Sequence, residues 1–66
     1  MNAIKIGKKL RDLRGERTQN VVSKDIGISL SALAMYERGE RIPRDEIKLK
    51  LAYYYGTSVQ DIFFTP

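Results

Sequence analysis

Residues 19–38, QNVVSKDIGISLSALAMYER, contain the pattern that decides the fold. Thr18 precedes this stretch and is a favourable N-cap for a helix that Gly27 can end. Ser29 stands two residues after that glycine, so a second short helix is predicted to begin almost at once. The apolar residues at helical spacing in the two segments are Val22, Ile26, Leu33 and Tyr36. Two short helices joined by a brief turn with a glycine form a helix-turn-helix.

Three further helices are predicted on either side of this motif. They cover residues 3–14, about 44–55 and 59–63, each with apolar residues three or four positions apart. Helix ends are marked by glycines at Gly15, Gly27, Gly39 and Gly56. The sequence has no alternation typical of strands and no hairpin turn. The predicted fold class is therefore all-α, with five short helices.

The composition limits the chemistry. The 66 residues carry a net charge of +4 and include neither cysteine nor histidine. We therefore expect one domain, residues 1–66, without disulfides, Cys/His metal sites or Ser-His and Cys-His nucleophilic pairs. No cofactor or metal is predicted, and the chain is not expected to be an enzyme. Residues 1–17 contain six basic and two acidic residues, whereas residues 18–66 contain six of each. The excess charge favours a polyanionic partner without locating its site.

The basic, amphipathic segment 3–14 raises two alternatives, a targeting peptide and a helix on a membrane surface. The longest apolar stretches of the chain are only a few residues, and no small-residue cleavage pattern follows them. The apolar stripe of this helix is also needed for the core. We therefore expect a cytoplasmic protein with no membrane partner.

Short motifs extend the pattern beyond the helix-turn-helix itself. They are Thr18-Gln19, Gly27-Ile28-Ser29, Tyr36-Glu37-Arg38-Gly39 and Ile42-Pro43, together with IGKKLRDLR at 6–14 and LAYYYGTSVQDIF at 51–63. With these motifs, nearly the whole chain resembles the Cro/CI-type, XRE-like helix-turn-helix regulators of bacteria and phages. The resemblance implies a lambda-repressor-like fold and sequence-specific binding of double-stranded DNA. It also implies a transcriptional regulator, most often a repressor that binds a palindromic operator as a homodimer.

The resemblance assigns site residues to two groups. Those expected to meet base edges in the major groove are Ser29, Leu30, Ser31 and Met35, and those expected to meet phosphates are Gln19, Arg38, Arg41 and Arg44. Serine hydroxyls can donate or accept, whereas Leu30 and Met35 can make only apolar contacts, most usefully with thymine methyl groups. The alternative is that these two side chains are ordinary packing residues. The predicted reading helix lacks Arg, Asn and Gln, so we expect DNA shape to contribute to the choice of site.

Two features bear on how the reading helix is supported. The resemblance implies an ion pair between Arg14, at the end of the first helix, and Glu37, at the end of the third. Only three residues separate Arg14 from Thr18, fewer than the family pattern has, and Arg17 stands where an apolar residue is usual. Lys48 likewise occupies a position that is often leucine, so the packing stripe of the fourth helix is expected to be rotated.

The last quarter of the chain is rich in aromatic residues. Tyr55, Ile62 and Phe63 are predicted to belong to the core, and Tyr53 and Phe64 to a dimer interface. An alternative function is that of an antitoxin or partner-regulated module that binds DNA mainly for autoregulation. A toxin gene beside the gene for this protein would favour that alternative.

Overall fold

The computed structural model describes residues 2–65 of the chain, and these fold into five α-helices. The helices are α1 (Ala3–Arg14), α2 (Gln19–Ile26), α3 (Leu30–Glu37), α4 (Asp45–Tyr55) and α5 (Val59–Phe63). The prediction of an all-α fold with a helix-turn-helix at the second and third helices is confirmed. The predicted ends agree with the observed ends to within about one residue. No helix in the described part of the chain is long and apolar enough to cross a membrane.

Four of the helices begin at a polar N-cap whose side-chain oxygen accepts a hydrogen bond from the backbone N–H three residues later. The pairs are Asn2 with Lys5, Thr18 with Val21, Ser29 with Ala32 and Ser58 with Asp61, at 3.0–3.1 Å. Each cap satisfies a donor that has no partner within its own helix. The caps at Thr18 and Ser29 were predicted from sequence. Together with the cap at Ser58, they explain why helices of five to eight residues form at fixed positions in so short a chain.

One core lies between the helices. Its buried apolar residues are Ile6, Leu10, Val22, Ile26, Leu33, Tyr36, Ile47, Leu51, Ala52, Ile62 and Phe63. The core assignment of Ile62 and Phe63 is confirmed, and Tyr55 packs against the core from a half-buried position. Lys48 is only 8% exposed, and its ammonium group lies 5.7 Å from the centre of the Phe63 ring. The stem of this lysine thus takes the place of an apolar side chain in the packing of α4.

Helices α1 and α3 approach each other closely at Gly7. A Cβ atom on Gly7 would lie 2.7 Å from the carbonyl oxygen of Tyr36, well inside van der Waals contact. Only glycine therefore allows the C-terminal turn of α3 to lie directly on α1. This contact, with the core face of α3, fixes the direction in which the opposite face of α3 points.

Candidate nucleic-acid interface

The turn between α2 and α3 is fixed by its backbone. Gly27 adopts a left-handed conformation with φ 87°, which a residue with a Cβ rarely takes. The N–H groups of Gly27 and Ile28 both donate to the carbonyl oxygen of Ser23, at 2.9 and 3.0 Å. The Ile28 side chain packs against the core. These contacts hold α3 at a defined angle to α2, which is the arrangement that a helix-turn-helix uses to present its second helix.

Helix α3 has a core face and an outer face. Leu33 and Tyr36 are buried on the core face. On the outer side, Ser29, Leu30 and Ser31 are exposed, while Ala34 and Met35 are half-buried. We call these five residues the reading surface, and it contains all four of the residues expected to meet base edges. The Ser29 hydroxyl accepts from the N–H of Ala32 at 3.0 Å, so its proton remains to be donated.

Glu37 connects α3 to both preceding helices. It is only 2% exposed, and its carboxylate accepts from Arg14 Nε at 2.8 Å and from Arg14 Nη2 at 3.0 Å. Gln19 Nε2 donates to the same carboxylate at 2.9 Å. The hydrogen bond from Arg14 to Glu37 raises the pKa of the arginine above its usual value. The structure thus contains the ion pair that the resemblance implied, and Gln19 joins it as a third member.

Gln19 therefore lies where the first turn of α2 meets the last turn of α3. Its carboxamide has two N–H groups, and the bond to Glu37 uses one of them. The N–H groups in the first turn of a helix have no carbonyl partners within the helix, and the Thr18 cap satisfies only that of Val21. This end of α2 is suited to an anion such as a phosphate. Sequence reasoning assigned Gln19 to a phosphate but did not predict its bond to Glu37.

Arg17 holds the shortened turn between α1 and α2. Its guanidinium donates to the carbonyl oxygens of Leu13 and Arg14 at 2.9 and 3.1 Å, which caps the C-terminal end of α1. The same group lies 5.2 Å from the ring centres of both Tyr54 and Tyr55. At this distance the positive charge of the guanidinium is attracted to the faces of both rings. Arg17 thereby attaches the turn to α4.

The loop after α3 carries the other predicted phosphate contacts. Arg38 forms two hydrogen bonds to Glu40, at 2.8 and 3.0 Å, and both side chains are about half exposed. This pairing raises the pKa of Arg38 and lowers that of Glu40. The Arg44 side chain is 81% exposed and lies 3.9 Å from Glu46. Within residues 2–65, no acidic side chain forms an ion pair with Arg41. Arg41 is therefore the loop arginine whose charge is not locally compensated.

A groove separates the reading surface from α4. Its lining includes Ser29 from the turn, Arg41 and Arg44 from the loop, and Lys50 from α4. Lys50 is exposed, and sequence reasoning did not assign it to the interface. A DNA backbone that entered this groove would meet the positive charges of Arg41, Arg44 and Lys50. Lys50 lies six positions after Arg44, about 1.7 helical turns, so helical periodicity did not place the two residues on one face.

A second exposed surface lies away from the core on α4 and beyond α5. Leu49 is 64% exposed and Tyr53 is 90% exposed, and their spacing of four places them on one face of α4. Phe64 is 49% exposed, with its ring 5.3 Å from the Lys48 ammonium. We call Leu49, Tyr53 and Phe64 the apolar patch. Sequence reasoning assigned Tyr53 and Phe64 to a dimer interface and did not single out Leu49, which lies one helical turn before Tyr53.

The comparisons with known proteins agree with this geometry. A helix-turn-helix family model matches residues 8–62. The cryptic phage CTXphi transcriptional repressor RstR of Vibrio cholerae is 38% identical over 56 residues, which are 82% of this chain and 50% of RstR. The chain thus spans half the length of this relative. No solved structure matches the chain significantly. The family match includes both helices of the motif and the elements that support them, and the chain belongs to the helix-turn-helix family.

Proposed function

We propose that this protein is a sequence-specific transcriptional repressor that occupies a palindromic operator as a homodimer, with α3 in the major groove. The observation that carries the proposal is the outer face of α3, which is free of core contacts yet fixed by the α2–α3 turn and by Glu37. The major groove, about 12 Å wide, admits one α-helix. The 38% identity with a phage repressor supports repression over activation.

The reach of a single α3 supports a dimer. A helix of eight residues is about 12 Å long, which corresponds to about four base pairs of DNA. One protomer therefore reads too little sequence to select a site in a genome. A symmetric pair reads two half-sites, about 34 Å apart when they are separated by one helical turn. The protomer measures 28 × 22 × 22 Å, so two copies side by side are together longer than this spacing and can cover both half-sites.

The apolar patch is the surface we propose for the contact between protomers. Leu49, Tyr53 and Phe64 expose apolar area that the core does not use, and such area on a small domain often marks an interface. Sedimentation equilibrium tests the assignment with the Leu49→Ala, Tyr53→Ala and Phe64→Ala variants. The dimer should dissociate at lower concentration in each of them. Ile4→Ala is the matched control, since Ile4 is 73% exposed on α1 and should leave the dimer unchanged.

Selection of bound duplexes from random DNA tests the function. The expected result is an inverted repeat whose half-site centres are about one helical turn apart. Enrichment of no sequence at all would refute sequence-specific binding. A single, unrepeated half-site would refute the homodimer and favour the alternative of a module that meets another protein through the apolar patch.

A further inference from the structure

Helix α3 is apolar on both of its faces. Residues 29–36, SLSALAMY, contain no charged residue, and the apolar side chains point both into the core and away from it. Leu33 is fully buried, while Leu30, three positions earlier at the edge of the core face, remains 48% exposed. A helix that is apolar all round is normally covered on all sides. In this protein the core covers only one side of α3.

The outer side offers a narrow range of chemistry. Leu30, Ala34 and Met35 present methyl, methylene and thioether groups, and the two serines present hydroxyls. A hydroxyl can pair with a donor or an acceptor, so it discriminates poorly among bases. The apolar groups match one feature of the major groove, the methyl group at C5 of thymine. 5-Methylcytosine carries the same group at the same position.

We propose that the reading surface selects its site mainly through the C5-methyl groups of pyrimidines, with Leu30 as the principal contact. The inference rests on the proposed function and names the chemistry by which the same surface would act. Leu30 is the first residue of α3, and the N-terminal residues of such a helix are those that meet base edges. The Ser29 cap fixes the backbone at this point, because its hydroxyl accepts from Ala32 N–H within the same turn.

The charges beside Ser29, at the edge of the reading surface, support DNA over a protein as the occupant of this surface. The groove next to Ser29 is lined by three basic side chains, Arg41, Arg44 and Lys50, against one acidic side chain, Glu46. An apolar strip beside basic side chains complements the major groove, where base methyl groups lie between two phosphate backbones.

Removal of the methyl groups from the DNA tests the inference. Fluorescence anisotropy would compare a selected duplex with the same duplex in which uracil replaces thymine in both half-sites. Each methyl group that Leu30 or Met35 covers should lower the affinity about fourfold when it is removed. In a third duplex, a contacted T·A pair is replaced by C·G. Methylation of that cytosine at C5 should restore about the same factor. Restoration assigns the effect to the methyl group itself, and a lack of restoration would contradict readout of the C5-methyl group of pyrimidines in general.

A variant separates direct contact from a change in DNA shape. Leu30→Ala should bind the thymine and uracil duplexes with nearly equal affinity, because the side chain that distinguishes them is shortened. Ile4→Ala is the matched control, since Ile4 is also an exposed apolar residue but lies on α1, which is not part of the proposed interface. It should keep the full preference for thymine. Thermal melting of both variants verifies that they are folded.

The outcomes distinguish the inference from the function on which it rests. Equal affinity of the wild-type protein for thymine and uracil duplexes, both well above that for random DNA, would overturn methyl readout and leave sequence-specific binding intact. A thymine preference that Leu30→Ala retains would remove Leu30 from the contact. Failure to bind any duplex above random DNA would refute the proposed function itself.

Discussion

Replacement of Glu37 by alanine tests how the reading helix is held. The Glu37 carboxylate accepts three hydrogen bonds, two from Arg14 and one from Gln19, and it is almost fully buried. Glu37→Ala removes the acceptor from all three donors at once. The Arg14 guanidinium, whose side chain is 17% exposed, is left close to the core without its counter-charge.

The expected loss is large for a protein of this size. Breaking one side of a buried ion pair costs about 3–5 kcal/mol, and the partial exposure of Arg14 places the value near about 3 kcal/mol. A domain of 66 residues has a free energy of unfolding of about 3–10 kcal/mol. For this length, 1 kcal/mol corresponds to about 7 °C in melting temperature, so the variant should melt about 20 °C lower.

Urea unfolding at low temperature, followed by circular dichroism, measures this loss, and Glu40→Ala is its matched control. Glu40 also accepts two hydrogen bonds from an arginine, but Arg38 and Glu40 are half exposed, so solvent screens their pair and its loss should change the stability little. Glu37→Gln keeps the shape of the side chain and removes its charge. Its stability should lie between those of Glu37→Ala and Glu40→Ala. If Glu37→Ala were no less stable than Glu40→Ala, the carboxylate could not be the group that holds α1, α2 and α3 together.

The remaining predictions concern packing, ionisation and phosphate contacts. Gly7→Ala should destabilise the fold by about 1–3 kcal/mol, because its Cβ would press on the Tyr36 carbonyl; an unchanged urea midpoint would contradict the close crossing. Burial raises the pKa of Tyr55 to about 12, so stability present below pH 10 should be lost as pH rises toward 12. Tyr55→Phe should weaken that loss in alkaline urea titrations and cost little at pH 7, since the buried hydroxyl has no hydrogen-bond partner within the described residues. Arg41→Ala should reduce the slope of log affinity against log salt concentration by about 0.9 per protomer, and an unchanged slope would remove Arg41 from the phosphate contacts.

Local signals in the sequence were sufficient to predict the fold. Thr18, Ser29 and Ser58 each bond to a backbone N–H only three residues away, so a short window of sequence contains both partners. Gly27 ends α2 in a left-handed conformation for the same local reason. The positions of all five helices therefore followed from caps, glycines and apolar spacing.

The family resemblance implied the pair of Arg14 and Glu37, but the other contacts between residues distant in the chain could not be predicted from the sequence. The bond from Gln19 to Glu37 spans 18 positions, and Arg17 meets Tyr54 and Tyr55 only because α4 packs beside the α1–α2 turn. The burial of Lys48 is of the same kind, since it depends on where the Phe63 ring lies. A long side chain can bury its stem or extend into solvent, and its neighbours in space decide between them.

The distribution of charge provides the most direct test of where DNA binds. The net positive charge lies in residues 1–17, whereas the proposed interface consists of the reading surface, the first turn of α2 and the loop that carries Arg41. Titration of the labelled protein with a selected duplex, followed by amide chemical shifts in NMR spectra, locates the contact residue by residue. The largest shifts should fall on residues 19–20, 29–35 and 38–44. Shifts concentrated instead on the exposed Lys5 and Lys8 of α1 would contradict the central claim that α3 enters the major groove.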